Sequence, residues 1–238
     1  MNTLVLSAGS SDSFFRAGYA FPKNLVEIEG KTLIQHVIEN LQGLPGKMIF
    51  VISKEEAVKF HTDQVIRLLL PEAAVVYSGA KTSGAACTAL LAAGLIDNDQ
   101  PLLIANGDQI LHADHKVMID GFLKKRLDGG IPVFEDVHPR YSFVKLGEDG
   151  LVVEAAEKRP ISRLATAGRY FFSKGKTFVH AAQQMILKDA QVEGVFYVCP
   201  SFNEAILAGA RIGVERVEKA SYISLGTPQA VEAFGRGK

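Results

Sequence analysis

The residues best suited to chemistry lie close together near the start of the chain. An apolar segment, Thr3-Leu4-Val5-Leu6-Ser7-Ala8, runs into Gly9-Ser10-Ser11-Asp12, and Arg16 and Lys23 come soon after. Small residues after a strand let backbone N–H groups face an anion, and a nearby Arg and Lys add the fixed positive charge that a polyphosphate requires. The loop carries neither common phosphate fingerprint. It lacks the Gly-Lys-Ser/Thr ending of a P-loop, and Gly9 and Gly18 cannot supply the glycine triplet of a dinucleotide fold. A second candidate is Leu103-Ile104-Ala105-Asn106-Gly107-Asp108, where a strand and a glycine would deliver the Asp108 carboxylate to the carboxyl edge of a sheet. The alternatives are a solvated Arg and Lys on a surface loop, and an Asn-Gly-Asp turn in which Asp108 caps the next element.

Such residues need a scaffold, and the hydrophobic pattern supplies one. Near-continuous apolar runs at 4–6, 48–52, 73–76 and 102–105 alternate with helical patterns at 32–41, 54–69 and 82–95. Runs of that kind suit parallel strands covered on both faces, with helices as crossovers, and predict an α/β doubly wound sheet over residues 1–130. Ligands bind such sheets beyond the carboxyl ends of the strands, where Gly9 and Asp108 both fall. After Asp128-Gly129-Gly130 the texture shifts to shorter strands at 131–134, 142–146 and 151–155, the last two separated by the hairpin signal Gly147-Glu148-Asp149-Gly150. Helices at 176–188 and 202–208, a strand at 212–217 and a last helix from Pro228 to Phe234 complete the pattern, so the second half reads as an extension of the same sheet.

At 238 residues the chain can bury a large core, roughly 70–75% of its unfolded surface. Lys plus Arg (26) balance Asp plus Glu (26), which argues against a general nucleic-acid or membrane-surface binder. No apolar run is long enough to span a membrane and no signal peptide is indicated, so a cytoplasmic protein is expected. Cys87 and Cys199 lie far apart among apolar or small neighbours and read as buried thiols. His36 reads as structural. His112 and His115 could ligate a metal from a helix face, but a polar loop after Asp108 is the expected reading.

Lys23-Asn24-Leu25-Val26-Glu27-Ile28-Glu29-Gly30 and Leu33-Ile34-Gln35-His36-Val37-Ile38-Glu39-Asn40-Leu41, taken with Ala8, Gly9, Arg16 and Pro22, resemble the N-terminal signature of the sugar-1-phosphate nucleotidyltransferases. Four later blocks continue the resemblance: Asn106-Gly107-Asp108, Glu157-Lys158-Arg159-Pro160 with Gly168-Arg169-Tyr170, Phe196 to Asn203, and Gly226-Thr227-Pro228. It covers the whole chain and implies a single Rossmann-like nucleotidyltransferase domain over 1–238, with a nucleotide-binding half at 1–130 and an acceptor-binding half at 131–238.

The reaction implied is attack of a phosphate monoester on the α-phosphorus of an NTP, releasing pyrophosphate. Its demands are positioning of two polyanions and neutralisation of charge on the bridging and leaving oxygens. By resemblance Arg16 and Lys23 grip the triphosphate, Asp108 holds Mg2+, and Ala8, Gly9, Ser10, Ser78, Gly79, Ser83, Gly84, Asn106 and Gly107 form the nucleotide side. Small residues at 78–86 equally allow tight packing at a helix start. On the acceptor side the resemblance points to Glu157 for hydroxyls, Lys158 for the phosphate, and Gly168 and Asn203. Arg169, with Arg140 and Arg163, is either an acceptor contact or part of a solvated face. Many relatives supply a second metal carboxylate two residues before the Gly of Gly-Thr-Pro, and here that residue is Ser224.

The expected partners are an NTP and a phosphorylated small molecule, a sugar 1-phosphate for capsule or lipopolysaccharide synthesis, with a homodimer allowed. The other readings are a cytidylyltransferase for a phosphocholine-type or phosphoamide acceptor, a nucleotide-sugar-dependent glycosyltransferase, and a non-catalytic nucleotide-binding homologue. The glycosyltransferase would show two acids at the end of the fourth strand, where this chain has only Asp108.

Overall fold

The computed structural model describes residues 1–236. The chain begins with β1 (Asn2–Ser7), and the loop after it winds into the short α1 (Asp12–Arg16). A ribbon of β2 (Glu27–Ile28) and β3 (Lys31–Thr32) leads to α2 (Leu33–Asn40), which starts where the Thr32 hydroxyl accepts from the Gln35 N–H at 3.3 Å. Next come β4 (Lys47–Ser53), α3 (Lys54–Phe60), α4 (Thr62–Leu69) and β5 (Ala74–Ser78), then α5 (Ala85–Leu90), α6 (Ala93–Ile96) and β6 (Leu102–Asn106). The remainder runs through β7 (Gln109–Leu111), α7 (His115–Lys124), β8 (Gly129–Glu135), β9 (Ser142–Leu146), β10 (Val152–Glu157), β11 (Leu164–Thr166) and β12 (Arg169–Phe172). It closes with α8 (Gly175–Leu187), α9 (Ser201–Leu207), β13 (Ile212–Arg216), β14 (Tyr222–Ser224) and α10 (Pro228–Arg236).

One ten-stranded sheet organises these elements, in the order β10-β9-β11-β8-β12-β6-β1-β4-β5, with β13 beside β8. β5, β4, β1, β6, β8, β13 and β9 run one way and β12, β11 and β10 the other, so the sheet is mostly parallel. The join between the halves is β12, which lies antiparallel to both β6 and β8. Both faces are covered, as continuous apolar strands demand. On one, Phe14, Leu33, Ile66, Met118 and Val231 bring α1, α2, α4, α7 and α10 against the sheet; on the other, Ala89, Ile96, Phe178 and Phe202 bring α5, α6, α8 and α9.

The expected helix at 54–69 is two helices, because His61 adopts φ 56° and ends α3 in a left-handed turn before α4 begins. The expected helix at 82–95 likewise starts only at Ala85. Gly84 sits at φ 127°, and a Cβ there would lie 2.4 Å from the Phe196 carbonyl oxygen, so the crossing chain at 195–196 excludes an earlier start and any side chain. The stretch after Asp108, expected as a polar loop, contains α7, whose first turn is capped by Asp114 accepting from Val117 N–H at 2.9 Å. Cys199 is buried and Cys87 only partly so. Among the described residues no helix is long and apolar enough to cross a membrane.

Candidate active site

Beyond the carboxyl ends of β1 and β6 the sheet opens into a cleft of about 750 Å3, the usual position and size for a small-molecule site in an α/β sheet. Its floor is an ion pair: Lys23 Nζ donates to Asp108 Oδ2 at 2.7 Å. Lys23 comes directly after Pro22, whose φ of −65° sends the chain into a single 3-10 turn that leaves Lys23 only 8% exposed. The ammonium lies over Gly9, where a Cβ would come within 3.3 Å of Nζ. The Lys23 N–H donates to Ser11 Oγ at 3.0 Å, and Asn24 Nδ2 donates to the Ser7 carbonyl at 2.8 Å, which ties the lysine segment back to the end of β1.

One wall consists of small residues: Ala8, Gly9 and Ser10 after β1, Ser78 at the end of β5 with Gly79 after it, and Gly84 before α5. Lys81 and Lys59 stand on the same side. The other wall is built by the antiparallel half and carries Glu157, Ser142, Tyr141, Tyr170, Tyr197, Arg140 and Gly168. Glu157 accepts from the Ser142 hydroxyl, and burial raises its carboxyl above the ordinary carboxylate range. Asn106, at the tip of β6, donates to Gln109 Oε1 at 3.0 Å, and Gly168 (φ 63°) lets that amide pass, since a Cβ there would sit 1.6 Å from the same oxygen.

Several residues expected in the site lie elsewhere. The residues between Gly9 and Arg16 coil into the five-residue α1, and Arg16 ends it exposed and off the cleft wall. Arg169 is neither an acceptor contact nor solvated. It is fully buried behind Asp108 and donates to the carbonyls of Gly168 and Gln109 at 3.2 and 2.7 Å and to Asn40 Oδ1 at 3.2 Å. Burial pushes its pKa down to about 10, against the opposing pull of Asp108 and of the Tyr222 and Tyr170 hydroxyls. Asn203 docks α9 on β10 through paired bonds with Ala155 N–H and C=O, both 2.8 Å, and does not reach the cleft. Lys158 adopts φ 53° and directs Nζ to Glu193 at 2.9 Å, lying 5.5 Å from the Tyr197 ring centroid. The Glu193 bond and then Tyr197 raise its pKa further. Ser83 and Gly107 also stand back from the wall: the Ser83 carbonyl accepts from Phe196 N–H at 2.8 Å, and Gly107 packs on Ser7. Arg163 is likewise absent from the lining, whereas Arg140 lines it.

The sequence reading missed Lys81, Lys59, Phe15, Glu56 and the tyrosines at 141, 197 and 222, all of which line the cleft. Lys81 had a local signal, its place within Ser78-Gly79-Ala80-Lys81-Thr82. Tyr197 lay within the Phe196–Asn203 block, whereas Tyr141 and Tyr222 had no local signal, because they come from separate segments that only the tertiary structure brings together. Among the described residues no three His, Cys, Asp or Glu side chains gather to hold a metal. The Asp108 carboxylate and Ser224 hydroxyl nonetheless flank Gly226, whose Cβ position is 3.1 Å from Asp108 Oδ2 and 3.8 Å from Ser224 Oγ. A single carboxylate at a cleft edge suits a Mg2+ ion that arrives on phosphate oxygens and keeps most of its water.

Residues 2–196 match the profile of the nucleotidyl transferase family. Among curated proteins the chain is 27% identical over 179 residues to the bifunctional protein GlmU of Methanocaldococcus jannaschii, a match that covers 73% of this chain and 40% of that protein. It therefore spans well under half the length of that relative. It is 25% identical over 226 residues to the UTP–glucose-1-phosphate uridylyltransferase AglF of Haloferax volcanii, covering 92% of this chain and 88% of the other. Among solved structures, the nucleoside-diphosphate-sugar pyrophosphorylase of Vibrio cholerae RC9 superposes with a TM-score of 0.85 at 24% identity, over 99% of this chain and all of that one, and shares the fold. The extent of the family match, with the fold and cleft it predicts in place, establishes that this chain belongs to the nucleotidyl transferase family.

Proposed function

We propose that the chain is a nucleotidyltransferase that joins an NTP to a phosphorylated small molecule, a sugar 1-phosphate, with release of pyrophosphate. The observation that carries this reading is the Lys23–Asp108 pair at the carboxyl edge of β1 and β6, between a backbone-rich wall and a hydroxyl-rich one. The first wall suits a nucleotide, because Gly9, Ser10 and Gly79 are exposed and leave backbone groups open to phosphates and a base, and Lys59 and Lys81 add charge. The second suits a polyhydroxylated acceptor, with Glu157 to accept from sugar hydroxyls. Arg140, which lies 4.6 Å over the Tyr141 ring and lines the cleft, takes the acceptor phosphate, since Lys158 stands off the lining with Nζ on Glu193.

In this reading Lys23 faces the α-phosphate and stabilises the charge that grows on the bridging and leaving oxygens. The nucleophile is already an anion, so no side chain is needed as a base; alignment of the two phosphates supplies the rate. Asp108 would hold Mg2+, which neutralises triphosphate charge when bound. AglF, similar over nearly the whole chain, supports the sugar-phosphate acceptor by its name alone. Use of the product in surface-polysaccharide assembly belongs to the same proposal. The test is a panel of four NTPs against sugar 1-phosphates and phosphocholine, with pyrophosphate release as readout. Release with one NTP and one sugar 1-phosphate supports the assignment, and release with phosphocholine alone moves it to the cytidylyltransferase type.

A further inference from the structure

We infer that Glu56 is a positioning residue, which fixes Lys23 against the small-residue loop after β1 through the Ser11 hydroxyl and the Asn24 amide; this rests on the proposed nucleotidyl transfer. Glu56 sits in the first turn of α3 and is 8% exposed. Its Oε1 accepts from Ser11 Oγ at 2.6 Å and its Oε2 from Asn24 Nδ2 at 2.9 Å. The Ser11 hydroxyl that donates to Glu56 in turn accepts from the Lys23 N–H at 3.0 Å, and the Asn24 amide also holds the Ser7 carbonyl at 2.8 Å. One carboxylate thus connects the start of α3, the phosphate-facing loop, the Lys23 N–H and the Asn24 side chain.

This arrangement is costly for folding alone. Burial raises the Glu56 carboxyl above its ordinary range in spite of the bonds from Ser11 and Asn24 and the nearby Lys23 charge, so an apolar or neutral side chain would bear less desolvation penalty. What the carboxylate supplies and a neutral group cannot is acceptance at both oxygens. A glutamine at this position can accept from Asn24 only by presenting its NH2 to Ser11, whose hydroxyl must then accept from two N–H groups while its own proton, buried with the side chain, loses the Glu56 oxygen. Losing the carboxylate's hold on the Ser11 proton loosens the hydroxyl that accepts from the Lys23 N–H and lets the ammonium drift from its place over Gly9. Displacements of about 1 Å in a charged group that must meet a phosphate reduce turnover by up to about 10²-fold.

The experiment compares the full chain with Glu56→Gln and Ser11→Ala, the second retaining the carboxylate but breaking the bridge to Lys23. With the NTP and acceptor found for the wild type, kcat per folded molecule should fall at least fivefold in both Glu56→Gln and Ser11→Ala, with acceptor KM within threefold. Binding of inorganic tripolyphosphate, measured by calorimetry without acceptor, should weaken at least fivefold in both. Variants that melt earlier yet match the wild type in kcat per folded molecule and in tripolyphosphate affinity would show a role in stability only and overturn the inference. Should Glu56→Gln fail to fold, Ser11→Ala decides alone. If the wild type releases no pyrophosphate with any NTP, the transfer reading fails, while the tripolyphosphate comparison still decides whether Glu56 positions the loop.

Discussion

Replacing Lys23 by Ala separates chemistry from folding, because the structure gives both effects a size. The side chain is 10% exposed and its partner Asp108 25% exposed, with 2.7 Å between them. Removing the ammonium leaves Asp108 unpaired but in reach of cleft water. The destabilisation should therefore be about 1–2 kcal/mol, below the roughly 3–5 kcal/mol of a fully buried broken pair. For a domain of this size that lowers Tm by about 2–8 °C. The kinetic effect is larger: one preorganised positive group facing the reacting phosphate is worth about 10²–10³ in kcat. The double variant Lys23→Ala/Asp108→Asn removes the orphaned charge as well, so calorimetric melting should recover most of the lost stability while pyrophosphate release falls below that of the single variant, because Asp108 would also hold Mg2+. The reasoning is refuted if Lys23→Ala keeps turnover within about threefold of wild type, or if the double variant regains turnover together with stability.

Two further outcomes test particular placements. Arg140→Ala should raise the acceptor KM about tenfold, and Lys158→Ala less than threefold, because Arg140 lines the cleft and Lys158 points away from it toward Glu193; the opposite ranking in acceptor titrations would return the phosphate contact to Lys158. His115 is 6% exposed and burial, with the Arg169 charge, pushes its pKa down from 6.5 to about 4, so unfolding takes up a proton between those values. Stability should rise with pH across that window and be lost by about 1–3 kcal/mol as pH falls through it; denaturant melts of His115→Asn should lack this component, and an unchanged pH slope would exclude the residue as its source.

Local sequence is enough for the parallel first half of the sheet and the core of the cleft, but not for β12, the antiparallel strand that joins the halves. Apolar runs at β1, β4, β5 and β6 are local patterns, and a strand buried on both faces has few other ways to satisfy them. Lys23 and Asp108 were legible for the same reason: each comes just after the end of a strand or a proline, so backbone geometry carries it to the sheet edge. The reading weakened where the partner is distant in the chain. Arg169 is held by Asn40, which lies in α2, and Lys158 is drawn to Glu193 beyond α8, so neither orientation is written in the neighbouring residues. Arg16 shows a milder version, because whether a few polar residues stay as a loop or coil into α1 is decided by burial of Phe14 in the core. Tertiary structure alone decided these side chains and brought Glu56 to Ser11 and Asn24. A charged group goes where its desolvation is best compensated, and the compensating groups are found only once the sheet has gathered them.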